Sequence, residues 1–349
     1  MLADPAAVRA AARGGAKTDR IDAALLARLL ASGFLAEVWA PDEQTRARRR
    51  LVSRRMQLVR QRTREKNQVH AVLYRRLVGR PPASDLFGVR GRAWLVALEL
   101  PPDERLTVDG CLRQIDLTED EIALVEREIA RDVLGSPQMR RLLTIPGVNA
   151  VTACSLMAAI GDIGRFPSAR RLVSYLGLDP RVAQSGPEPA RHGRISKQGP
   201  GYARHVLVEA AWHLGRTIGP LHAFQERVRA RRGVNIATIA VARKIAVICW
   251  HMLTKEEDYA FARPSLTRER LRRLELMVGA ERQRGRRHPV RVFAPRAQHE
   301  AERELAAQAE AAYLRLMSDW QARPTRAGAG ATPGRVKTPS KRRGSAADL

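Results

Sequence analysis

The chain is poor in cysteine. Cys111, Cys154 and Cys249 lie far apart and form no C-x-x-C pair. That excludes a disulfide framework or a zinc knuckle and fits a reducing cytoplasm. Aromatic residues are scarce, at 5%, which disfavours an all-β fold and favours helices packed through Leu, Ala and Val. The histidines are scattered, with no H-E-x-x-H spacing for zinc. There is no P-loop and no Rossmann glycine pattern, so no ATP or NAD role is expected. The first residues, MLADPAAVRAAARGG, have no apolar signal core. The longest apolar stretch, Val234 to Leu253, contains Arg243 and Lys244. It is too short and too charged to span a bilayer and predicts a buried helix. No membrane role is expected.

Acid is also in short supply. The 36 Asp and Glu stand against 62 Lys and Arg, a net charge of +26 with a pI near 11.4. Codon bias can explain Arg in place of Lys, but not the excess itself. Such a chain attracts polyanions, so nucleic acid is the expected partner, with an affinity that falls steeply with salt.

What is present is mainly helical pattern. Lys17 to Ser32 carries Ile21, Leu25, Leu26, Leu29 and Leu30 at helical spacing, with Asp19 as an N-cap candidate and Gly33 as the stop. Asp42 to Val78 reads as a long basic helix with a partial apolar seam. Thr118 to Val133 reads as a second run, and the looser stretch between them holds Pro81-Pro82 and Pro101-Pro102. The pair suggests a helical or coiled-coil arm used for self-association. Leu142 to about Tyr259 forms a compact helical unit in which Trp212 and Trp250 are expected in the core. Thr267 to Val278 and Glu300 to Trp320 read as further helices. The resulting division is 1–41, 42–138, 139–262, 263–322 and a basic tail, 323–349, expected to be disordered.

Four features carry possible chemistry. Asp19 and Asp22, three apart, share one helix face and can hold a divalent ion, or are a cap and a first-turn acid. Ile145-Pro146-Gly147-Val148 resembles a helix-hairpin-helix, in which a glycine turn lets backbone N–H groups approach a phosphate, or it is a packing corner. Ser185 stands beside Gly186 in a polar loop among Arg181, Arg191, His192, Arg194 and Lys197. Its hydroxyl can attack a phosphodiester while the cations stabilise charge on phosphorus, or it is a plain surface serine. His192 is the nearest base. Ser196 is a rival nucleophile, although a helix-capping role suits it better. Arg204, His205, Arg243 and Lys244 interrupt apolar helices and either face phosphate or snorkel to solvent.

These segments together resemble a known family. KTDRIDAALLARLL and the basic helix after it are similar to the end of a DEDD-type, RuvC-like transposase domain and its helical extension. IPGVNAVTA, DIGRF, YLGLDPRVAQSG, HGRISKQG and AVARKIA are similar, in order, to the C-terminal domain of the insertion-sequence one-ten transposases, which include Piv-type DNA invertases. The resemblance implies a remnant of an RNase H-like domain, a helical arm and a compact helical transposase domain. It implies that Asp19 and Asp22 are the last two acids of a Mg²⁺-binding Asp-Glu-Asp-Asp set and that Ser185 is a nucleophile on DNA. It also implies a homo-oligomer, dimer or tetramer, and in some members a structured guide RNA. The family's first Asp and Glu lie upstream of K-T-D-R, so the chain reads as N-terminally truncated and is expected to be inactive or impaired alone. The alternative is a non-catalytic basic nucleic-acid-binding subunit.

Overall fold

A computed structural model describes residues 18–35, 38–186, 188–281 and 295–322, with isolated positions 3 and 8. The tail 323–349 and most of the stretch before Thr18 lie outside the described residues. The fold is mainly α, as the scarcity of aromatic strand formers implied.

Helix α1 spans Asp19–Ala31. Its cap is not Asp19 but Thr18, whose side chain accepts the Ile21 N–H at 3.4 Å. Thr18 has the extended backbone that a cap requires, which leaves both acids in the first helical turn, where they complement the helix dipole. The helix buries none of its residues, and Ile21 and Leu30 are half exposed.

Helix α2 (Glu43–Arg75) starts at Asp42, which accepts the Thr45 N–H at 2.6 Å. That bond holds the Asp42 carboxyl below its usual range. Helix α3 (Val89–Ala97) and helix α4 (Pro102–Gly135) follow. The second arm helix thus begins well before Thr118, because Pro102 occupies a first-turn position, where a missing N–H costs nothing. Helices α2 and α4 run antiparallel, basic face to acidic face. Arg48 grips both carboxylate oxygens of Asp132 at 2.8 and 2.9 Å. Arg55 meets Glu126 at 2.6 Å, Arg62 meets Glu119 at 3.6 Å and Arg75 meets Glu104 at 2.8 Å. At the outer end of the arm, Val69, Leu73, Leu86, Leu95 and Cys111 form a small separate core.

The compact unit contains α5 (Pro137–Leu142), α6 (Ala150–Ile160), α7 (Ala169–Tyr175), α8 (Gly201–Leu214), α9 (Pro220–Arg232) and α10 (Val234–Lys255). Helix α6, AVTACSLMAAI, is apolar or small all round and is buried from Thr152 to Ile160, as such a composition requires. By length and composition, α10 is the one helix among the described residues apolar enough to cross a membrane. Here Val241, Ala242, Ile245 and Cys249 put its apolar face into the core. Trp250 is half-buried and donates Nε1–H to the Phe166 carbonyl at 2.9 Å. Trp212 departs from expectation: it is 40% exposed, because the buried face of α8 is made by Ala203, Leu207, Ala210, Ala211 and Leu214.

Helix α11 (Pro264–Met277) leans on α4, and Arg270 on it donates to the carbonyls of Leu143 and Ile145 at 2.7 and 3.0 Å. Helix α12 (Arg296–Ala322) is fastened by two glutamates, each capping another helix. Glu310 accepts the Gly219 N–H at 2.7 Å and meets His222 Nδ1 at 2.9 Å. Glu302 accepts the Ser265 N–H at 3.0 Å and the Ser265 hydroxyl.

Candidate nucleic-acid interface

The polar loop around Ser185 is the tip of an antiparallel hairpin, β1 (Pro180–Ala183) and β2 (Arg191–Ile195). A loop alone was expected. The alternation that would have marked the strands is short, and an irregularity falls between Pro180 and Val182. Ser185 is exposed. Gly186 after it has φ +62°, with open space where a Cβ would stand. The hydroxyl is therefore presented to solvent.

The base of the hairpin is built more rigidly than its tip. Gly177 (φ +67°) and Gly199 (φ +80°) let two stretches of backbone cross closely. A Cβ on Gly177 would stand 2.0 Å from the Gln198 carbonyl oxygen, and one on Gly199 would stand 2.0 Å from that of Tyr175. No L side chain fits there. Arg204 pins the crossing, donating to the carbonyls of Leu176, Gln198 and Gly199 at 3.1, 2.9 and 3.2 Å. From the other side Arg243 reaches Asp179 at 3.3 Å. Two arginines expected to face phosphate or solvent thus each give one nitrogen, Arg204 Nη1 and Arg243 Nη2, to the mount of the hairpin. Lys244 lies 5.7 Å from the Phe224 ring centroid.

On the hairpin itself, Arg181, Arg191, Arg194 and Lys197 are exposed. Arg181 donates to the Ser196 carbonyl at 3.4 Å, and Arg191 meets Glu188 at 3.5 Å. The side chain of His192 lies outside the described residues. Ser196 does not cap α8, whose N-cap is Pro200 with no side-chain bond. Its N–H instead closes the hairpin base, donating to the Asp179 carbonyl at 2.7 Å.

Gly147, at φ +81°, turns the chain between α5 and α6, and Asn149 caps α6 by accepting the Thr152 N–H at 2.9 Å. A Cβ on Gly147 would lie 2.9 Å from the Ala210 carbonyl oxygen. The turn therefore needs its glycine for packing against α8.

Asp19 is exposed and Asp22 half-buried. A DEDD-type domain points to a divalent metal, and the two carboxylates can supply two oxygen ligands. Such ions take six or more. Among the described residues no third carboxylate, imidazole or thiolate joins them, so the pair does not by itself make an ion site.

A groove of about 1640 Å³ runs from the hairpin base along α2. One wall is α2, with Arg60 and Arg64. The other is made by Asn149 and Ser155 of α6 and by Tyr202, His205 and His213 of α8. Of the site residues expected from sequence, only Gly147 borders it, with His205, considered as a phosphate contact, on its wall. The rest of this surface was missed, because its residues are hundreds of atoms apart along the chain and look like ordinary helix surface one at a time.

Residues 3–76 match the DEDD_Tnp_IS110 transposase model, and residues 139–226 match the model described as Transposase IS116/IS110/IS902 family. The chain carries IS110/IS116/IS902-family transposase domains. The acid pair lies in the first matched segment and the hairpin in the second. The chain is similar to the putative transposase y4qE of Sinorhizobium fredii, 36% identical over 56% of this chain and 47% of that protein. It is similar to the transposase for insertion sequence element IS1111A of Coxiella burnetii, 34% identical over 43% and 42%. It is also similar to the pilin gene-inverting protein of Moraxella bovis, 29% identical over 40% and 45%. The chain spans less than half the length of these three relatives.

Proposed function

We propose that this chain is a transposase or recombinase of an insertion sequence whose hairpin-tip Ser185 is the nucleophile on DNA. The observation that carries the reading is an exposed serine beside an open glycine, on a mount fixed by Gly177, Gly199, Arg204 and Arg243. In the proposed step, Ser185 Oγ bonds to phosphorus and the bond from phosphorus to one deoxyribose oxygen breaks. That oxygen leaves as a hydroxyl, taking up a proton as the serine gives up its own. The phosphoserine ester conserves the bond, and a second deoxyribose hydroxyl reverses the step to rejoin DNA. Arg181, Arg191, Arg194 and Lys197 stabilise charge on the phosphoryl oxygens. DNA is the substrate. A structured guide RNA and a homo-oligomer complete the proposal, with exposed Tyr74, Leu77 and Val89 at the arm's outer end as candidate subunit contacts. Asp19 and Asp22 are proposed to contribute to a Mg²⁺ site completed by other carboxylates.

The net charge of +26 favours a second reading, a non-catalytic basic subunit that binds nucleic acid beside an intact transposase. Denaturing lysis of cells that express the chain alongside the DNA flanking its own coding sequence separates the two. Covalent protein–DNA adducts should be recovered from wild type and Ser196→Ala but not from Ser185→Ala. Adducts at wild-type level from Ser185→Ala would overturn the nucleophile. A chain that binds DNA but yields no adduct favours the second reading.

A further inference from the structure

The groove between α2 and α8 is separate from the hairpin tip, and its two walls differ in kind. Half of the arginines of α2 pair with α4, as Arg48, Arg54, Arg55, Arg62 and Arg75 do with Asp132, Glu121, Glu126, Glu119 and Glu104. Arg60 and Arg64, one turn apart on another face, are exposed and have no ion-pair partner among the described residues. They form a cationic edge that the fold itself does not neutralise.

The facing wall carries rings. Tyr202 and His205 lie one turn apart on one α8 face, and His213 follows two turns further on. Glu209, also in the lining, stands between the two histidines. A carboxylate there repels phosphate from the ring wall and leaves it to the arginine wall. Beneath them Ser155 is 1% exposed, and its hydroxyl has no hydrogen-bond partner although it borders the groove. A buried hydroxyl left unpaired is destabilising, and a ligand that reaches it would relieve that cost.

We propose that this groove binds one single strand of nucleic acid, with phosphates along Arg60 and Arg64 and bases against the rings of α8. Cations on one side and stacking surfaces on the other are the arrangement that holds an unpaired strand. A paired duplex presents phosphates outward and hides its base faces. The groove follows α2 from Arg49 to Ala71, about 30 Å at helical rise, and its near end is Gly199 to Tyr202, at the hairpin base. It leads a strand to or from the hairpin. The inference rests on the reading that the chain works on DNA, and adds a second, non-reacting strand site.

The test is fluorescence anisotropy on the full chain between about 50 and 200 mM NaCl. The probes are a labelled oligothymidylate of about 16 nucleotides, an oligouridylate of equal length and a matched duplex. Arg60→Ala/Arg64→Ala should reduce the slope of log affinity against log salt for both single strands by about 1.4, two phosphate contacts' worth. His205→Ala/His213→Ala should weaken single-strand binding roughly tenfold or more with the slope unchanged. Duplex affinity should stay within about twofold in both variants. Preference for the oligouridylate or the oligothymidylate identifies RNA or DNA as the strand. Single-strand affinity and slope unchanged in the arginine variant would overturn the inference, as would equal losses for strand and duplex, or a groove that retains only a protein ligand. Adduct formation at Ser185 is scored separately, so the groove can fail while the nucleophile stands.

Discussion

At the scale of single residues, much of the chemistry turns on which side chains are spent on structure. Arg204 and Arg243 were expected either to face phosphate or to reach solvent, and both also brace the hairpin. Nothing in a linear pattern separates the two uses, because the carbonyls that Arg204 engages, at 176, 198 and 199, meet only when the chain crosses itself. The glycines at the crossing were not read from sequence either: Gly177 and Gly199 take φ values that favour glycine, and the close backbone approach that requires them appears only in the fold. Gly199→Ala should destabilise the fold by about 1–3 kcal/mol in urea unfolding, from backbone strain and collision with the Tyr175 carbonyl. Gly186→Ala, where nothing is near, should cost about 1 kcal/mol, the strain alone. Equal effects at the two positions would show that the crossing is not tight.

At the scale of elements, long periodic helices were readable and short or proline-led ones were not. The basic run from 42 to 78 became α2 almost as drawn, and the apolar run from Val234 became α10. The first half of α4 was missed because Pro101-Pro102 reads as a breaker, whereas one of the two prolines starts the helix. The hairpin was missed because four- and five-residue strands leave little periodicity. The docking of α12 was not legible at all, since it depends on Glu302 and Glu310 meeting two distant helix starts. Burial opposes ionisation of Glu302, but hydrogen bonds from the Ser265 hydroxyl and N–H and from Gln298 outweigh it and hold the carboxyl below its ordinary 4.5. A depressed carboxyl stabilises above its unfolded value and loses that contribution as pH falls through the folded one. Protection factors of α12 amides, taken as exchange relative to the intrinsic chemical rate at each pH, should therefore be high at pH 6 and fall below about pH 4.5. Glu302→Gln should be faster than wild type already at pH 6. Protection factors that are independent of pH across this range would mean that the caps do not hold α12.

At the scale of the whole molecule, the excess positive charge is distributed with a pattern. The arm pairs much of its basic face internally, and the exposed cations include those of the hairpin and the groove. The claim on which the account depends is that the hairpin tip meets a DNA phosphate. The three native cysteines are buried, and burial pushes the Cys154 and Cys249 thiols up to about 12 and the Cys111 thiol to about 11. They are poor nucleophiles at neutral pH. A cysteine introduced by Ser185→Cys is then the reactive thiol of the chain. The most direct measurement is disulfide cross-linking of that variant to duplex DNA carrying a thiol tethered to a backbone phosphate. Ser196→Cys and Ser84→Cys serve as comparisons at the hairpin base and the arm's outer end. The account predicts rapid cross-linking at position 185 and little at the other two. Cross-linking at 185 no faster than at 84 would contradict it.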